Sequence, residues 1–185
     1  MPRHERWLLD ALDALASEPF SGEVWRVARR GRDPLIASSV NGRWGGAGYP
    51  PAVLYTSESR DGALAEVGSR LAMEPVWPSR AAHDVYRLGV ETQRSLRLMP
   101  LDTLVNLKIK VARYSGRDYG ATQAIAAASY HLEFDGLIVP SARFACWNLV
   151  LFTDHIATNP DSRIEAFDSE AVDWVSWRAG QNIKE

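Results

Sequence analysis

VWRVARRGRDPLIASSVNGRWGGAGYPPAVLYTSESRDGALAEV, residues 24–67, sets the fold class. VWRVA (24–28) and AVLYT (52–56) are short runs rich in β-branched and aromatic residues, bounded by turn formers, and read as strands. Ser57 or Ser59 then caps a helix running to about Met73, with Leu64, Val67 and Leu71 on its buried stripe. The intervening segment, 31–51, is a long loop by composition, and ordered loops of that length usually carry function. Its Gly42, Gly45, Gly46 and Gly48 allow close backbone approach to a ligand, beside the cation Arg43 and the aromatic Trp44.

Working outward, residues 5–16 place Trp7, Leu8, Ala11, Leu12 and Leu15 at helical spacing, with Pro19 and Gly22 ending the helix. HDVYRLGVE (83–91) reads as a strand, followed by a polar, basic segment at Gln93–Arg97. From Tyr119 to Leu132 the alanine-rich run GATQAIAAASYHL is a helix packed through small side chains. LIVP (137–140) and NLVLF (148–152) are buried strands, and in the tail after Asn159, Val172, Trp174, Val175 and Trp177 are expected to pack back on the body. The sum is a single α+β domain of small mixed sheets flanked by helices. Its expected parts are a helical extension (1–22), a core (23–158) and a C-terminal extension (159–185).

Composition narrows the function classes. The 185 residues are 46% hydrophobic and 24% charged, as in an ordinary globular protein. A net charge of −2 supplies no global field for nucleic acid or anionic membrane. The single Cys146 excludes an internal disulfide framework and fits a reducing compartment. With neither a signal peptide nor a membrane-length apolar run, the expected location is the cytoplasm. The four histidines are scattered, without metal-ligand spacing, so no metal is called for. Seven tryptophans suggest that some line a pocket or a partner surface.

Two arginines carry the chemistry that remains. Arginine suits bidentate capture of phosphate or carboxylate, Arg26 on a strand and Arg43 among glycines. Tyr55 ends a strand, where an aromatic can stack on a flat ring or simply fill the core. Glu66 lies off its helix's apolar stripe, and by periodicity alone it pairs with Arg70 at i+4 on a solvated face. Ser141, just past LIVP, is either a ligand contact or a turn hydroxyl. These residues suit an anion-binding cleft, either in an enzyme or in a non-catalytic nucleotide- or phosphate-binding module.

WR at 25–26, NGRW at 41–44, VLYTSES at 53–59, ALAEV at 63–67, TQA at 122–124 and DGLIVPSAR at 135–143 fall in a further, ordered pattern. In that series the chain resembles the RES-domain toxins of bacterial toxin–antitoxin modules. The resemblance implies a core similar to the diphtheria-toxin-like ADP-ribosyltransferases, with NAD⁺ as substrate. Some relatives hydrolyse or phosphorolyse NAD⁺, and others pass ADP-ribose to a protein. Carried over, Arg26 and Arg43 would hold the pyrophosphate or ribose region, and Tyr55 would stack on the nicotinamide. Glu66 would steady the oxocarbenium-like ribose, and Ser141 would complete the pocket. Trp44, Thr56, Thr122 and Asn148 are the further expected contacts, with Thr122 the other candidate for the family's serine. A cognate antitoxin, an Xre-like helix-turn-helix protein, is implied as the partner that occludes the cleft. Many relatives read GGRWN where this chain reads NGRWG, so Asn41 and Gly45 mark its departure.

Overall fold

The computed structural model describes residues 4–38, 41–45, 52–78 and 80–181. Of the expected loop at 31–51, Ser39, Val40 and residues 46–51 lie outside the described residues. In chain order the elements are α1 (Arg6–Asp13), β1 (Ser17–Arg29), β2 (Leu54–Ser57), α2 (Arg60–Leu71), β3 (His83–Arg97) and α3 (Thr103–Asn106). After a 3₁₀ turn at Val111–Arg113 come α4 (Gly120–His131), β4 (Gly136–Pro140), β5 (Trp147–Leu151), α5 (Thr153–Thr158), β6 (Arg163–Ala171) and α6 (Trp174–Gln181). The α+β class holds.

One six-stranded sheet, ordered β1-β2-β5-β4-β3-β6, joins the strands, and a further β1–β3 ladder closes its first five members into a ring. β1 and β3 are the long staves, antiparallel from Ser17↔Leu96 to Arg29↔His83. β4 runs parallel to the end of β3, Ser95–Arg97 facing Gly136–Ile138. Alternation along β4 and β5 separates two cores. Ile138, Leu149 and Leu151 join Val24, Leu54 and Leu88 on one side of the sheet. Leu137, Val139 and Val150 face Leu8, Leu12, Ile125 and Ala126 of α1 and α4 on the other.

Three expectations on element extent change. β1 begins at Ser17, through the Pro19 and Gly22 that were read as the end of a helix, because pairing with β3 overrides the local signal. The basic segment Gln93–Arg97 is strand, its backbone shared between β1 and β4. Residues 163–171, read as mixed tail, form the edge strand β6 on β3. In α6, Trp174 is buried but Val175 is 81% exposed, so only part of the expected tail cluster turns inward.

α2 lies against β1. Its N-cap Ser59 accepts a hydrogen bond from the Gly62 N–H at 3.0 Å. Leu64 is buried, whereas Val67 and Leu71 are only half covered; the tightest packing runs through Gly62, Ala63 and Gly68. A Cβ at Gly68 would stand 2.2 Å from the Trp177 ring, so this glycine lets α6 seat on α2. Among the described residues no helix is long and apolar enough to cross a membrane.

Candidate active site

Glu66 points into the molecule, away from the solvated i+4 pairing that its helix position suggests. Its Oε1 accepts hydrogen bonds from Ser141 Oγ at 2.7 Å and Asn148 Nδ2 at 2.9 Å. Asn148 is fixed on β5 opposite Val139, and Ser141 follows β4 directly. The backbone N–H groups of Arg143 and Phe144 both donate to Ser141 Oγ, at 3.2 Å each. With its oxygen so engaged, the hydroxyl proton is directed at Glu66. The Asn148 amide is oriented by the same carboxylate, and its Oδ1 is buried without a partner among the described residues.

Arg26, on β1, reaches under the same wall. Its Nη1 donates to the Tyr55 carbonyl at 2.9 Å and its Nη2 to the Ile36 carbonyl at 3.0 Å, while Nε is buried and has no partner among the described residues. Burial, and then the nearby charge of Arg70, bring its guanidinium down to about 10. Tyr55 Oη accepts from the Trp44 N–H at 3.0 Å. A Cβ on Gly42 would come within 2.8 Å of that oxygen, so the turn needs glycine there. Burial pushes the Tyr55 phenol up to about 12, against the opposing hydrogen bonds from Trp44 and Gly45.

Arg43 is held by residues far away in sequence. Its guanidinium lies 4.7 Å from the Tyr114 ring centre and 5.0 Å from that of Tyr119, and Nη2 donates to the Gly116 carbonyl at 3.0 Å. Thr122 Oγ1 donates to the Arg43 carbonyl at 2.6 Å, anchoring the turn to the start of α4. Trp44 is 2% exposed and belongs mainly to the core. Thr56 donates to the Leu149 carbonyl at 2.9 Å and is a strand-to-strand tie. Cys146 is half-buried with Sγ 3.3 Å from Ser57 Oγ.

A cleft of about 370 Å³ brings Arg26, Arg43, Trp44, Tyr55, Thr56, Glu66 and Asn148 onto one surface. Ser141 and Thr122 stand one hydrogen bond behind its wall. Sequence reasoning missed Tyr114 and Tyr119, which sandwich Arg43, and gave no site role to Arg70, Arg117 or Arg143, which also line the cleft. Arg143 and Gln123 did fall within the quoted motifs SAR and TQA. No group of three or more His, Cys, Asp or Glu among the described residues is placed to hold a metal ion.

Comparison with known proteins places this geometry. The sequence matches the RES domain over residues 23–174. The chain belongs to the RES domain family. Its fold is similar to a chain in the crystal structure of the M. tuberculosis MbcT–MbcA toxin–antitoxin complex, with a TM-score of 0.78 and 19% identity. The likeness covers 95% of this chain and 97% of that one. No curated protein matches the sequence.

Within this RES domain the NGRWG departure has a physical reading. Gln123 Nε2 donates to Asn41 Oδ1 at 2.6 Å and to the Gly42 carbonyl at 2.8 Å, so Asn41 adds a side-chain tie between the turn and α4. Gly42 N–H donates to the Gly45 carbonyl at 2.7 Å, closing the turn. At Gly45 a Cβ would lie 2.6 Å from Val53 Cγ2, so a side chain there requires the Val53 side chain to shift.

Proposed function

We propose that this RES domain cleaves the nicotinamide–ribose bond of NAD⁺ and acts as the toxin of a toxin–antitoxin module. The observation that carries the reading is Glu66, a carboxylate oriented by Ser141 and Asn148 and the one acidic group in a cleft that five arginines line. Leaving nicotinamide takes the electron pair of the C1–N bond and becomes neutral, and positive charge develops on the ribose. Glu66 lies ready to stabilise that charge without reorganising, because its donors are already placed. Ser141 and Asn148 hold the carboxylate, so each acts through it. Tyr55 offers its ring to the nicotinamide, while its hydroxyl keeps Trp44 and the Arg43 turn in place. Arg26 and Arg43 shape the ribose side of the cleft.

The acceptor adds at C1 and gives up a proton; water, phosphate and a protein side chain all satisfy that chemistry. Likeness to a chain of a toxin–antitoxin complex supports an antitoxin as the partner that covers the cleft; its helix-turn-helix class is what the family resemblance implies. Incubation of the purified protein with NAD⁺, followed by mass spectrometry of the small molecules and of lysate proteins, tests the reading. Free nicotinamide is the expected product, with ADP-ribose, its phosphorylated form or a modified protein naming the acceptor. NAD⁺ bound yet recovered intact would establish a non-catalytic binding module instead.

A further inference from the structure

The cleft holds more positive charge than its tied-down arginines explain. Five arginines line it, Arg26, Arg43, Arg70, Arg117 and Arg143, and Glu66 is the one acidic residue among the lining groups. This is a strong local excess in a protein of net charge −2. Two of the five are committed. Arg26 uses one N–H of each terminal nitrogen on the carbonyls of Tyr55 and Ile36, which fixes the orientation of its fork. Arg43 lies between two tyrosine rings and donates to Gly116. The other three have no hydrogen-bond or ion-pair partner for their guanidinium groups among the described residues. They come from separate elements: Arg70 from the last turn of α2, Arg117 from the segment before α4, and Arg143 from the turn after β4.

We propose that the pyrophosphate of the substrate is gripped by Arg70, Arg117 and Arg143, while Arg26 and Arg43 serve to build the cleft. The inference rests on the NAD⁺ reading and divides its binding residues differently from the family resemblance. A guanidinium forms its strongest contacts as a bidentate fork on a phosphate oxygen pair, which requires free N–H groups. The three uncommitted side chains meet that requirement, and the two committed ones meet it less well. Five cations gathered around one carboxylate repel one another, and a bound dianion offsets that repulsion. Arg26 still contributes, through its charge.

The test uses a variant carrying Arg70→Gln, Arg117→Gln and Arg143→Gln, beside the parent and Arg43→Gln. Calorimetric titration with ADP-ribose should show affinity at least about 30-fold weaker in the triple variant, the loss expected when charge-assisted hydrogen bonds to an anion are removed. The parent's preference for NAD⁺ over nicotinamide riboside, as a ratio of kcat/KM, should fall by a similar factor, because the riboside lacks the pyrophosphate. A triple variant that binds ADP-ribose within about threefold of the parent, while Arg43→Gln loses it, overturns the assignment. So does a variant that keeps the parental KM for NAD⁺ and loses only phosphate-dependent turnover, which would make the trio a site for a free phosphate acceptor. Should the parent bind ADP-ribose through the trio yet leave NAD⁺ intact, the grip stands and the catalytic reading falls.

Discussion

The cleft and the outer β1–β3–β6 face use the same residue, arginine, in opposite ways. On the outer face three arginines are each matched by a carboxylate. Arg87 meets Asp168 at 2.9 Å and Glu23 at 3.3 Å, Arg163 meets Glu91 at 2.7 Å, and Arg97 meets Glu18 at 2.6 Å. These pairs are well exposed, and exposed pairs contribute little to stability. In the cleft no arginine forms an ion pair among the described residues, and the lone carboxylate is claimed by a serine and an asparagine. Both regions stand on the same long β1 and β3 ladder, so the scaffold does not dictate the difference. Where the surface only has to be soluble, charges cancel within the protein; where they are left uncancelled, the complementary charge is expected from a ligand.

Removing the lone carboxylate should have the largest consequence. Glu66→Gln keeps the shape and the hydrogen-bonding capacity but cannot answer a developing positive charge. NAD⁺ cleavage should fall by at least about 100-fold, the usual effect of deleting one preorganised electrostatic contact. Circular dichroism and the melting curve should show a folded protein; retention of full turnover would leave the cleft without its proposed catalyst. Next comes Arg26→Ala, which strips two carbonyls of their donors and should destabilise by about 3 kcal/mol. Urea unfolding reads that directly, and a loss under about 1 kcal/mol would mean that the guanidinium is not a structural tie.

Tyr55→Phe is the third and smaller step. It leaves the Trp44 N–H without its acceptor, at a cost of about 2 kcal/mol near neutral pH. The dependence on pH sharpens the point. The folded phenol holds its proton to about 12, whereas the unfolded chain releases it near the ordinary value of about 10. Between those values the unfolded state binds fewer protons, so the parent loses stability as pH rises. Its advantage over the phenylalanine variant should therefore shrink from pH 9 to 11.5. A gap that stays constant would place the hydroxyl in solvent.

Much of this site was legible because its signals are local or carried by ordered motifs. Ser59 caps α2 through its own helix, and the short apolar runs LIVP and NLVLF mark β4 and β5 as buried strands. Arg26, Tyr55, Glu66 and Asn148 were all singled out, and they do share one cleft. What stayed hidden depends on distant pairing. β6 is exposed along nearly its whole length, so it shows no buried stripe, and only its ladder with β3 makes it a strand. Tyr114 and Tyr119 find Arg43 across some seventy residues, and no spacing announces that. Glu66 is the instructive case. Helical periodicity assigned it to Arg70 and to water, whereas the fold supplied two donors from the other end of the chain.

The smallest effect is expected on the matched face, and it guards the comparison. Arg163 and Glu91 form one 2.7 Å pair with side chains 63% and 41% exposed. In that setting the Coulomb gain is offset by ordering two long side chains and is screened by salt. Arg163→Ala should therefore change stability by less than about 1 kcal/mol, and the difference should shrink further at high ionic strength. Arg163 lies on β6, which pairs with β3 and supplies no residue to the cleft lining, so NAD⁺ cleavage and ADP-ribose affinity should match the parent. A large loss of either on this substitution would show that the outer charges steer the ligand over a distance, and the two faces would then have to be treated as one electrostatic unit.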